Sequence, residues 1–116
     1  MNASLRACIA SAAARAVGQS VKSAVFDYSQ GKHIQIGGSS DASNVSLFDH
    51  SRSAHVKGTL PKLFDYGTSS HITLQVSGTS FRGFDYGSSS HYSGSVRSGS
   101  VTIFDYETSQ HHQYSV

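Results

Sequence analysis

Apolar and polar residues alternate along most of this chain with a period of two. Val101, Ile103 and Asp105 fall on one face of a segment, and Thr102, Phe104 and Tyr106 fall on the other. Ile72, Leu74 and Val76 share a face, with His71, Thr73 and Gln75 opposite. Such alternation predicts strands. The first eighteen residues follow a different rule. Leu5, Cys8, Ile9, Ala12, Ala13, Ala16 and Val17 recur at spacings of three and four, which predicts an amphipathic helix. Asn2 or Ser4 can cap its start and Gly18 its end. The stripe is mostly Ala, so it suits close approach to a flat surface, either the sheet or the same helix of another copy. A lone helix of this length is marginal in water, and the alternative is a frayed arm. The expected organisation is a helix over 1–18 and a β domain over 19–116.

The strand region repeats itself. Phe26-Asp27-Tyr28, Phe48-Asp49-His50, Phe64-Asp65-Tyr66, Phe84-Asp85-Tyr86 and Phe104-Asp105-Tyr106 are five copies of one tripeptide. Each Asp is followed six positions later by a His: His33, His55, His71, His91 and His111. The four residues between are turn formers such as Gly67-Thr68-Ser69-Ser70. Each unit therefore predicts a β-hairpin whose first strand ends in the tripeptide and whose second starts at the His. Ser77-Gly78-Thr79, Arg97-Ser98-Gly99 and the longer 37–44 segment link them, and Pro61 fits a strand start or an edge.

Five hairpins make about ten strands in an antiparallel meander. Ten strands either curl into a closed barrel or need cover from another subunit, and one short helix cannot cover an open sheet of that width. The rival architecture is a β-solenoid with one unit per coil. It would stack five Asp about 4.8 Å apart, which disfavours it. For the hairpin register, a turn centred on one residue sets Asp opposite His. It also pairs Phe26 with Ile34, Phe48 with Val56, Phe64 with Ile72 and Phe84 with Tyr92, so the five Phe are expected in the core. The last unit fits less well, because Phe104 then faces His112. Gly31 offers a left-handed turn position where the other four copies carry Ser.

Composition narrows the function. The apolar share is 37% and the charged share 14%, both low for a soluble fold, and 24 of the 116 residues are Ser. The single Cys8 forms no internal disulfide and no Cys-based zinc site, and it lies on the apolar stripe. The net charge is +2, and the basic residues Lys22, Lys32, Arg52, Lys57, Lys62, Arg82 and Arg97 are scattered, so nucleic acid is not expected as a partner. No apolar run is long enough for a membrane-spanning helix, and no signal-peptide pattern is read at the N-terminus, which favours the cytoplasm. There is no phosphate-binding glycine loop and no nucleophile elbow.

The chemistry worth considering lies in the repeated frame. Asp27 with His33, Asp49 with His55, Asp65 with His71, Asp85 with His91 and Asp105 with His111 are candidate metal-binding or acid–base pairs. Five near-equivalent copies argue against catalysis, which needs one asymmetric constellation. The structural alternative has each Asp accepting hydrogen bonds from turn N–H groups and Ser or Thr hydroxyls, with the His paired to it. Tyr28, Tyr66, Tyr86 and Tyr106 either rim the core or form repeated carbohydrate sites, as in a multivalent lectin. The sequence thus points to a non-enzymatic binding or scaffolding protein without a cofactor that self-associates into a homo-oligomer. A metal-dependent protein and a multivalent carbohydrate-binding module are the alternatives.

Overall fold

A computed structural model describes residues 1–18 and 23–116. Lys22 and the start of the β domain at residue 19 lie outside the described residues. Helix α1 (Ala3–Ala16) is followed by β1 (Ala24–Asp27), β2 (Lys32–Ser40), β3 (Asn44–Asp49), β4 (Ala54–Thr59), β5 (Lys62–Asp65) and β6 (Ser70–Thr73). Then come β7 (Gln75–Ser77), β8 (Ser80–Asp85), β9 (Ser90–Arg97), β10 (Ser100–Asp105) and β11 (Gln110–Ser115). All pairings are antiparallel. They run from β6 through β1 to β11 and on to β8, and β6 then pairs with β8 at Ile72 and Asp85. The sheet is thus a closed ten-stranded barrel. β7 is an extra strand that continues β6 past Leu74 and pairs with β8. It is a barrel and not a solenoid.

The interruption at Leu74 has a local cause. The Thr73 carbonyl accepts from the Tyr92 hydroxyl (2.6 Å), and the Thr73 hydroxyl accepts from the Phe84 N–H (2.9 Å). Gly83 makes this possible, because a Cβ there would lie 1.8 Å from the Thr73 carbonyl oxygen and 2.5 Å from the Tyr92 oxygen.

The helix does not lie on a sheet; it fills the barrel. Leu5 through Ala14 are ten consecutive buried residues, which is burial on every side rather than on one stripe. Neither the frayed arm nor docking on another copy fits that burial. Ten strands about 4.8 Å apart and tilted about 40° form a ring of roughly 10 Å radius. That radius matches the separation of a helix from a packed sheet only if the helix side chains are small. Six of the ten buried positions are Ala7, Ala10, Ala12, Ala13, Ala14 and Cys8, which meets the condition. Asn2 caps the helix by accepting from the N–H groups of Ser4 (2.8 Å) and Leu5 (3.2 Å).

The strands turn their aliphatic side inward: Val25, Ile34, Ile36, Leu47, Val56, Leu63, Ile72, Leu74, Val101 and Ile103 are buried against the helix. The five repeated Phe are not among them. Each hairpin loop holds four residues, so Phe26 pairs with His33 and Asp27 with Lys32, and the other four units follow the same register. The odd-centred register therefore does not form, and neither does the Phe core. Phe is out of phase with the aliphatic residues and points outward, while Asp is in phase and points inward.

Candidate functional site

The same five loops build two rings at one end of the barrel, one inside the wall and one outside. In each loop the backbone N–H two residues after the Asp donates to its Oδ1. The donors are Ser29 (2.8 Å), Ser51 (2.9 Å), Gly67 (3.0 Å), Gly87 (2.9 Å) and Glu107 (3.0 Å). This is the Asx-type turn, and it fixes the carboxylate under the loop. The residue that closes the loop is left-handed: Gly31 in the first copy, and Ser53, Ser69, Ser89 and Ser109 with φ between 52° and 55° in the others.

All five Asp are buried. Buried carboxylates need partners, and the partners come from three sources. Arg52, from the second loop, donates from Nε to Asp49 (2.7 Å) and from Nη1 to Asp65 (2.9 Å). Arg6, from the helix, donates to Asp105 (3.0 Å) and through Nε to the Tyr114 hydroxyl (2.9 Å). The Met1 ammonium donates to Asp105 (3.1 Å) and to Glu107. Burial works against the Met1 charge, but the hydrogen bonds to Glu107 and Asp105 outweigh it and raise the amine above its ordinary value. Among the described residues Asp27 and Asp85 make no ion pair. Asp27 accepts from the Gln30 side chain (2.7 Å) and Asp85 from the Ser88 hydroxyl (2.9 Å). Three positive groups therefore face five carboxylates, and the helix N-terminus adds its partial positive charge at the same end.

Next to this ring His112 is buried, with Nδ1 2.7 Å from the Ser29 hydroxyl and no protein partner on Nε2. Burial and the nearby Arg6 lower its pKa. The contact resembles half of a nucleophilic triad. Among the described residues no carboxylate bonds the far nitrogen, so none of them orients the ring as a third member.

Outside the wall, each Phe sits edge-on between two rings. Phe26 packs with Tyr28 (4.9 Å) and His33 (4.8 Å), and Phe48 with His50 (4.8 Å) and His55 (4.7 Å). Phe64 packs with Tyr66 and His71, Phe84 with Tyr86 and His91, and Phe104 with Tyr106 and His111, all between 4.7 and 4.9 Å. The four Tyr are the exposed large apolar side chains of the protein, at 55–61%. Elsewhere the outward wall is polar, with Gln35, Ser46, Lys57, Arg82, Ser95 and Gln113 exposed.

The predicted Asp–His pairs are therefore not brought together. Asp27, Asp49, Asp65, Asp85 and Asp105 point into the barrel, and His33, His55, His71, His91 and His111 stand outside against Phe. The sheet lies between them, because adjacent positions on a strand face opposite sides. Among the described residues no three His, Cys, Asp or Glu side chains converge as metal ligands, and no helix is long and apolar enough to cross a membrane. Sequence reasoning missed Arg6, Arg52 and His112. The two Arg carried a signal, since five inward Asp require buried cations. His112 sits in phase with the buried Tyr114, and that phase was readable. No known family model matches this chain, and it matches neither a curated protein nor a solved structure.

Proposed function

We propose that this is a non-enzymatic binding and scaffolding protein that self-associates through the aromatic ring on the outer rim of its barrel. The observation that carries the reading is the placement of the repeated aromatics. Four Tyr and five Phe–His pairs stand outside a core that is already filled by the helix and the aliphatic face. The fold does not need them there, and exposed aromatic side chains are typical of contact surfaces. At their observed exposure the four Tyr present about 500 Å². With the adjoining His and Phe edges that approaches the roughly 800 Å² per partner of a standard interface.

The test replaces Tyr28, Tyr66, Tyr86 and Tyr106 together with Ser. The variant still unfolds cooperatively in urea, at a midpoint lowered by the loss of its four Phe–Tyr edge contacts, and lacks the concentration-dependent increase in sedimentation coefficient expected of the native protein. A native protein that sediments as a monomer at every concentration, or a variant that associates like the native one, refutes the proposal.

A further inference from the structure

The outer wall is not equivalent all the way round, and we infer that its β7–β11 side binds a linear oligosaccharide carrying one carboxylate. This goes beyond the rim's self-association and centres on the wall, with Tyr106 the one rim tyrosine in its lining. Register places Gln75, Arg82, Ser93, Phe104 and His111 side by side across five neighbouring strands. Four interstrand steps of about 4.8 Å make this row about 19 Å long, room for about four sugar rings. Two grooves share Gln75, Arg82 and Ser93, one of about 640 Å³ and one of about 570 Å³.

The trough exists because this unit departs from the others. The outward residue two positions after the repeated His is Gln35, Lys57, Thr73 or Gln113 elsewhere, and here it is Ser93. A small side chain thus lies between the long Arg82 and the ring of Phe104. Ser95 and Thr102 continue the low floor.

The lining names the ligand class. Phe104, His111, Phe84 and His91 supply ring surfaces, whose electron-rich faces attract the polarised C–H groups of a pyranose. Ser, Thr and Gln side chains both donate and accept, as sugar hydroxyls require. Arg82 is exposed and, among the described residues, bonded to the neutral Gln75 (3.3 Å) and to no carboxylate, so its fork is open to one. Among the described residues no Asp or Glu lines either groove, which suits an acidic sugar. A nucleic acid strand fits less well, because one Arg offers little compensation for a run of phosphates.

The test uses a panel of tetrasaccharides in which one ring is a uronic acid, and the same panel with that carboxylate methyl-esterified, titrated against the full chain. Acidic members bind, and the esterified forms bind about tenfold more weakly. Arg82→Gln makes the two forms bind alike. Ser93→Trp fills the trough and abolishes binding, while its melting temperature and sedimentation stay native. Tyr28→Ser/Tyr66→Ser, at two residues that line neither groove, leaves sugar binding unchanged while weakening self-association. The inference is overturned if no acidic member binds, if ester and acid bind equally to the native protein, or if Ser93→Trp still binds. Because sedimentation and sugar titration are separate readouts, either reading can fail alone.

Discussion

Arg52 is the residue on which the inner ring depends most, and replacing it with Met has a calculable cost. The side chain bridges Asp49 and Asp65, two carboxylates with no exposure. Their losses are unequal. Asp65 keeps the Gly67 N–H on one oxygen and the Thr68 hydroxyl on the other. Asp49 keeps the Ser51 N–H and hydroxyl, but both act on Oδ1, so Oδ2 loses the Arg52 bond that served it. Breaking a buried pair from one side costs about 3–5 kcal/mol. Arg52 is itself 15% exposed, so water reaches the site and the lower end, about 3 kcal/mol, applies. A domain of this size is stable by about 5–15 kcal/mol, so the Met variant is folded but clearly weakened.

The sharper part of the prediction is a change of sign. In the native background Asp49→Asn lowers stability, because it removes a carboxylate from its guanidinium. In the Arg52→Met background the same substitution raises stability, because it removes an unpaired buried charge. Urea unfolding of the four proteins at neutral pH, with slopes compared to confirm similar exposed surface, measures the cycle. A Met variant that loses less than about 1 kcal/mol, the level of an exposed ion pair, refutes the reasoning. So does Asp49→Asn acting in the same direction in both backgrounds.

Three further predictions follow from the loops and the lumen. Ser69→Gly and Ser89→Gly each raise stability by about 0.5–1 kcal/mol in urea unfolding, since relief of a left-handed L-residue exceeds the extra unfolded-chain entropy of Gly. Cys8 stays unmodified by a thiol reagent at neutral pH until urea unfolds the chain, because burial pushes its pKa up to about 12; modification at the rate of a free thiol would contradict its place in the lumen. The lowered pKa of His112 means that its stabilising contribution is present above its unfolded value near 6.5 and is lost as pH falls through the folded value. Stability should therefore drop on acidification from pH 7, and His112→Leu should flatten that part of the curve.

The strand periodicity, the five hairpins, their antiparallel meander order and the N-terminal helix were legible because each is written in local spacing, whereas barrel closure stood beside a subunit-covered sheet and the cap was open between Asn2 and Ser4. The side on which the aromatics lie was legible too, yet hydrophobic size points the wrong way. Val101 and Ile103 share a phase with Asp105, and Phe104 is on the other phase, so alternation alone puts Phe104 outside. The turn then decides the pairing: a four-residue loop sets Phe26 against His33, and one residue fewer would have reversed every contact across the hairpin. What no local pattern states is where the helix goes. Its buried Ala run suits a flat sheet and a narrow tube equally, and only closure at ten strands makes the tube the answer. The positions of Arg6 and Met1 beside Asp105 depend on that closure and were not readable beforehand.

The two rings have opposite dependence on the rest of the molecule. The helix completes the inner ring, since it brings Arg6, the Met1 ammonium and its own N-terminal dipole to Asp105. The helix in turn cannot stay folded in water without the barrel, since its Ala-rich surface gains stability only when enclosed. Barrel and helix are therefore one cooperative unit, and the FDY loops are where the two halves are fastened. The outer ring has no such ties. The edge contacts of Phe with Tyr and His bring each triad about 0.5–1.5 kcal/mol per ring pair, but they leave most of each Tyr in water. Within one unit, then, the Asp serves the fold, and the Phe, Tyr and His that flank it face outward, where the proposed self-association would use them.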